Sequence, residues 1–257
     1  MISCQHYRLL YAAIHAVYTR LDLRQCMSLM AETTIMSGLE KELIRFDEMV
    51  TPKTYKFGVL SVRDDQQCEE QWFGNTGLTK EMTRFLEILG TKVELRDYKQ
   101  YAAGLDTKSG ESGTHSYATH WKEHQIMFHV GPLMPFQPQD KQQVHRKRYI
   151  GNDIVCIVFM DTDRQALFNP NAIRSQFLHV FIVVHPEKVD GEPAWRVQII
   201  HHQNVPDFGP SIPSPPVFVD PDQLREFLLL KRKPSTSFFR MLTIFFSDQC
   251  RAGSLEI

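Results

Sequence analysis

A chain of 257 residues is long enough for one substantial domain with a core of its own. With 42% hydrophobic and 23% charged residues, its composition is that of a soluble globular protein. A formal net charge of -1 excludes bulk attraction to nucleic acid or to an anionic membrane, so any charge-guided recognition must come from local patches.

At the N-terminus, Arg8, His15 and Arg20 interrupt "YRLLYAAIHAVYTRL", which therefore lacks the unbroken apolar stretch of a secretory signal. Cysteines at 4, 26, 68, 156 and 250 form no CxxC pair and no metal-type spacing. An odd, scattered set is expected of reduced thiols, and the expected location is the cytoplasm. "FGVLSV" (57–62) reads as a strand. In "TKEMTRFLEILG" (79–90), Met82, Phe85, Leu86 and Leu89 share one helical face and Gly90 supplies a stop. "KVEL" (92–95) reads as a strand and "GLDTKSGESGTHS" (104–116) as a Gly- and Ser-rich surface connection. Two short strands around a turn at Lys122 and Glu123 follow, the second being "QIMFHV" (125–130). Beyond the proline-rich "GPLMPFQPQD" (131–140), the polar "QDKQQVHRKRY" (139–149) predicts an exposed helix ending before Gly151.

"DIVCIVFM" (153–160), "FLHVFIVV" (177–184) and "WRVQII" (195–200) are nearly continuous in apolar residues, as expected of strands covered on both faces. After the proline-rich 204–218, "DPDQLREFLLLK" (220–231) predicts a helix with Asp220 as N-cap, Pro221 at its first position, and a stripe of Leu224, Phe227 and Leu228. The tail piece "FFRMLTIFF" (238–246) is too short to span a bilayer, which takes about 20 helical residues. Strands interleaved with helices predict an α/β fold, a sheet with covering helices.

Familiar catalytic patterns are missing. His115, His120, His124 and His129 match no HExxH, and alternation along two strands would scatter their rings, so no metal site is expected. A metal-assisted hydrolase using these histidines is a remote alternative. Neither GxSxG nor GxxxxGK[ST] occurs, and Cys156 lies inside an apolar strand where a thiol behaves as a small hydrophobe.

One stretch is unusual. "RKRYIGNDIVCIVF" (146–159) crowds cations, an aromatic, a glycine and an amide against the entrance to a buried strand. A carboxamide such as Asn152 both accepts and donates hydrogen bonds without charge, so it can hold a water beside a phosphate it does not repel. Read from spacing alone, the same residues also describe a helix C-terminus, its cations complementing the dipole and Asn152 and Gly151 ending it.

This stretch resembles the signature of the Rap/Ran-GAP domain family, activators of GTP hydrolysis on Rap-type small GTPases. "LEKELIRFDE" (39–48), "KFGVL" (56–60), "FLEILGTKVEL" (85–95), "GLDTKSGESGTHS", "IMFHVGPLMP" (126–135), "FLHVFIVV", "VPDFGPSIP" (205–213) and "EFLLLK" (226–231) resemble family segments in the family's order. The resemblance implies a domain over 38–231, between divergent ends at 1–37 and 232–257. It implies a central mixed sheet covered by helices and distantly like a G domain. It also implies an "asparagine thumb", a residue inserted into a partner's site to orient the attacking water, here Asn152, with no arginine finger. Arg146, Lys147, Arg148 and Tyr149 fall at positions that imply contact with the GTPase. The implied partner is a Rap-type small GTPase in its GTP-bound form. No cofactor belongs to this chain, since GTP and Mg²⁺ are the partner's. Two departures stand out: Tyr149 replaces the His that most members carry, and the ends do not follow the family. A module that binds a small GTPase with little stimulation is therefore the alternative.

Overall fold

The computed structural model describes residues 53–162, 168–203, 205 and 209–231, with residues 36 and 38. Apart from residue 36, the expectations for 1–37, 39–48 and 232–257 lie outside these described residues, as does part of 205–213. The chain divides into two units, Met1–Val50 and Thr51–Ile257, and every element below belongs to the second.

In chain order these are β1 (Thr54–Arg63), α1 (Glu69–Gly74), α2 (Lys80–Leu89), β2 (Thr91–Glu94), β3 (His115–Trp121), β4 (His124–Val130), α3 (Val144–Ile150), β5 (Val155–Asp161), β6 (Val180–Val189), β7 (Glu192–His201), β8 (Val217–Phe218) and α4 (Pro221–Leu230). Single 3₁₀ turns occupy Gly131–Leu133 and Pro170–Ala172. Among the described residues, eight strands form one sheet in the order β2-β3-β4-β1-β5-β6-β7-β8. The central run β4-β1-β5-β6 is parallel, and the outer pairings are antiparallel. The α/β fold with a mixed central sheet and helices is thus the one expected.

Period-two alternation sorts the central strands between two cores. Phe57, Val59, Phe128, Ile157, Phe159 and Ile182 point to the side covered by α2 and α4. Leu60, Val62, Met127, Cys156, Val158, Met160 and Val183 point to the other, which α1 covers with Trp72 and Phe73 and α3 with Ile150. Because both faces are dry, these strands read as apolar runs. Cys156 behaves as expected, since complete burial raises its thiol pKa well above the usual value and leaves it unreactive.

The two amphipathic helices follow their sequence signals. Thr79 caps α2 by accepting from the Met82 N–H at 3.1 Å, and Met82, Phe85, Leu86 and Leu89 are fully buried. Asp220 caps α4 by accepting from the Asp222 N–H at 2.9 Å. The helix expected over 139–149 is a correction: α3 begins only at Val144, after Gln143 in the left-handed region, and it buries Arg146 and Ile150.

Gly58 decides how closely α3 approaches the sheet. A Cβ there would stand 2.7 Å from Ile150 Cγ2 and 3.3 Å from Asp153 Oδ2. Ile150 is β-branched and stiff, so it has little room to yield. We expect Gly58→Ala to lower stability by about 1–3 kcal/mol, the usual range for overpacking, through displacement of α3. Chemical denaturation measures the loss. An unchanged midpoint would show that the helix is not seated on this glycine.

Candidate functional site

Asn152 is exposed and lies between α3 and β5, in a turn that closes the helix. The Gly151 N–H reaches Lys147 O at 2.7 Å, the Asn152 N–H reaches Tyr149 O at 3.2 Å, and the Asp153 N–H reaches Ile150 O at 3.1 Å. Asn152 Nδ2 donates to Arg148 O at 2.7 Å. A carbonyl oxygen can only accept, so the amide nitrogen must face it, and the orientation of the carboxamide is thereby fixed. Its Oδ1 makes no hydrogen bond among the described residues. The helix-ending reading is therefore correct as geometry, and that same bond leaves an oriented acceptor at the surface.

Four further contacts, from three different parts of the chain, anchor the turn. Ser175 Oγ donates to Gly151 O at 2.7 Å while accepting from the Phe177 and Leu178 N–H groups. Lys56 Nζ on β1 donates to Asn152 O at 3.0 Å. The same ammonium stands 3.2 Å from Asp153 Oδ1, an ion pair rather than an aligned hydrogen bond. On β4, His129 places Nδ1 2.8 Å from Asp153 Oδ2. Sequence reasoning assigned no role to Lys56, Asp153 or Ser175, and it weighed His129 only among four histidines as a remote metal ligand. Lys56 and His129 did lie inside "KFGVL" and "IMFHVGPLMP", and their shared polarity within strand-like segments was the available signal.

The basic run separates into three different side chains. Arg146 is not on the surface: it is 1% exposed, so its expected place in a partner-binding patch is corrected. Nη1 donates to Phe73 O and Asn75 O at 2.6 Å, Nη2 to Met134 O at 2.6 Å, and Nε to Pro135 O at 3.1 Å. Two of these carbonyls end α1, where the helix dipole favours a cation. Desolvation pulls its pKa down to about 10, which still leaves it charged at neutral pH. Lys147 is partly buried and paired with Glu69 Oε1 at 2.8 Å. Arg148 is exposed. Tyr149 is half-buried, its ring edge-on to His129 at 5.8 Å and to His145 at 5.4 Å. Burial, followed by the Glu111 and Asp106 carboxylates, raises its phenol pKa, so it remains protonated.

Beside Asn152 runs an open groove of about 230 Å³, lined among others by Phe73, Lys147, Ile173, Arg174 and Phe177. Arg174 and Phe177 are exposed and were not singled out from sequence. The Gly-rich connection is not a phosphate cradle. Its backbone amides at Lys108, Ser109 and Glu111 are already given to Asp106, at 3.1, 2.8 and 2.9 Å. The loop is closed around its own carboxylate. Of the four histidines considered together, His129 is buried, His115 and His124 are half-buried and His120 is exposed. Among the described residues no cluster of His, Cys, Asp or Glu is arranged to hold a metal ion, and no helix is long and apolar enough to cross a membrane.

Two tests follow from these contacts. Arg146→Met leaves four carbonyls without their donor and should cost about 3–5 kcal/mol, as breaking a buried charged network does. A denaturation midpoint within error of the parent would return Arg146 to the surface. The Asp106 carboxyl is held down to about 2, first by the Ser109 hydroxyl and then by the Glu111 amide. A folded value below the ordinary 3.8 means that these bonds stabilise the loop fully above that pH and are lost as pH falls through about 2. Ser109 and Glu111 amide shifts should titrate with a midpoint near 2, whereas a midpoint near 3.8 would indicate an open loop.

The Rap/ran-GAP family profile matches residues 72–246. GTPase-activating Rap/Ran-GAP domain-like protein 3 of Gallus gallus is 41% identical over 194 residues, covering 75% of this chain and 21% of that protein. The Homo sapiens protein of the same name is 40% identical over 194 residues, 75% of this chain and 19% of its own length. Signal-induced proliferation-associated 1-like protein 1 of Mus musculus is 38% identical over 208 residues, 80% of this chain and 11% of that protein. The chain thus spans about a fifth or less of these relatives. The solved "Structure of the TSC2 GAP domain" superposes with a TM-score of 0.61 at 28% identity, over 68% of this chain and 93% of that one. With the family profile, the relatives and the fold in agreement, the chain belongs to the Rap/Ran-GAP domain family.

Proposed function

We propose that this domain stimulates GTP hydrolysis on a Rap-like small GTPase, with Asn152 entering the partner's site as the thumb. The observation that carries this reading is an exposed carboxamide locked by its Nδ2 bond to Arg148 O, with Oδ1 left to accept from a water. The second Nδ2 hydrogen can be offered to a phosphate oxygen. A neutral amide does both without repelling the γ-phosphate, as a carboxylate would. Phosphoryl transfer depends largely on positioning and electrostatics, so one preorganised group has a large effect. GTP and Mg²⁺ belong to the partner in this scheme, and the catalytic residue is supplied in trans.

Arg148 and Arg174 are the exposed cations beside the thumb, and we assign them to an acidic partner surface. Lys147, already paired with Glu69, contributes less, and Tyr149 acts by packing edge-on against His129 of β4 and His145 of α3. The Gallus gallus and Homo sapiens relatives are named as GTPase-activating, and membership of the same domain family supports the same activity for this chain.

Single-turnover GTP hydrolysis by purified Rap-type, Ral-type and Rheb-type GTPases tests the proposal. The parent protein should accelerate at least one of them. Asn152→Ala should lose about a hundredfold or more of that stimulation, as when a transition-state donor is removed. Binding to the GTP-loaded partner should persist, and stability should fall by only about 1 kcal/mol, the worth of one hydrogen bond. Equal stimulation by mutant and parent would make Asn152 a helix terminator alone. Tight binding without acceleration by the parent would establish a binding module instead.

A further inference from the structure

His129 is 1% exposed, near the end of β4, and lies beside Gly58 of β1 in the parallel register. The missing side chain at Gly58 leaves room for Asp153, which is 0% exposed, to come in beneath α3. His129 Nδ1 faces Asp153 Oδ2 at 2.8 Å, and Nε2 faces Ala103 O at 3.2 Å. A carboxylate and a peptide carbonyl have no hydrogen to give. Both ring nitrogens must donate if both bonds form, and a neutral imidazole carries only one N–H. The ring that fits this site is the imidazolium. Asp153 then lies between two cations, His129 and Lys56 Nζ, and the Tyr149 ring closes the remaining side of the imidazole. A buried charge is tolerated when it is paired and hydrogen-bonded in this way.

We propose that His129 is a positioning residue for Asn152: its doubly protonated ring bolts Asp153 to Ala103 and so fixes where the thumb amide stands. The inference rests on the thumb reading for its consequence in hydrolysis, but not for the bolt itself. Asp153 is the chain neighbour of Asn152, so a rotation at Asp153 swings the amide. A misplacement of about 1 Å at a reacting centre costs on the order of a hundredfold in rate. His129 reaches no surface and contributes nothing to docking. Its Ala103 bond also joins the segment before β3 to the thumb, and α3 holds the same segment again where His145 Nε2 meets Glu111 O at 2.8 Å.

Three measurements decide the matter. A long-range ¹⁵N–¹H spectrum of the unaltered protein should show both His129 ring nitrogens protonated at neutral pH. A neutral tautomer, with one protonated and one bare nitrogen, overturns the proposal even if every variant misfolds. In His129→Gln, which cannot donate along both directions, the Asn152 and Asp153 amides should exchange about tenfold faster or more, while β5 amides keep their protection. Unchanged exchange at 152 and 153 also overturns it. At saturating protein, single-turnover hydrolysis by a GTP-loaded Rap-type GTPase should fall about tenfold to a hundredfold, with Kd altered less than about twofold. An unchanged rate, with a parent that does stimulate, refutes the positioning role. If the parent accelerates no GTPase while ring state and exchange behave as expected, the bolt stands and the thumb reading is what fails.

Discussion

Asp153 buries a carboxylate completely, and the neighbourhood of Asn152 is arranged around that one charge. Left unpaired in a dry core it would be prohibitive, so it draws Lys56 from β1 and His129 from β4 to itself. Those partners sit on adjacent parallel strands, in the stretch where β1 pairs with β4. Gly58 keeps the space open, and Ile150 presses α3 down over it. The exposed amide one residue earlier inherits its place from this buried arrangement, much as a lever inherits its position from its pivot.

The surface residue therefore has two descriptions that do not compete. Asn152 ends a helix, and ending the helix is what aims it. The Nδ2 bond to Arg148 O removes one rotational freedom, and the Lys56 bond to its main-chain oxygen removes another. A side chain ordered before its partner arrives loses less entropy on binding than a free one. Preorganisation of this sort suits chemistry in which positioning dominates.

Much of the sheet was legible because its central strands are dry on both faces and its two amphipathic helices carry caps and clean periodicity. Asp220 and Pro221 signal α4 locally, the stripe from Met82 to Leu89 signals α2, and Leu86 or Val158 can hardly be anything but core. Local signals do not reach Arg146. Its charge and its place in a basic run argue for the surface, whereas carbonyls 71 and 73 residues away take it inside. Helix α1 was missed because its six residues are too few to display a period, and β8, with two, is shorter still. The Gly- and Ser-rich connection looks loose by composition, yet one carboxylate, Asp106, closes it. A role for Asn152 beyond ending the helix came only from resemblance, since spacing gave helix end and thumb the same pattern.

The anchors of the Asn152 turn come from positions 56, 103, 129, 153 and 175, scattered over more than a hundred residues of chain. Central parallel strands, joined by crossovers rather than hairpins, make these contacts non-local by construction. High contact order implies slow folding, with such contacts closing only after long loops have been organised. During synthesis Asn152 leaves the ribosome before Ser175 exists to hold Gly151. The turn that presents Asn152 is therefore complete only after residues 56, 103, 129 and 175 have all been made and the strands that carry them have paired.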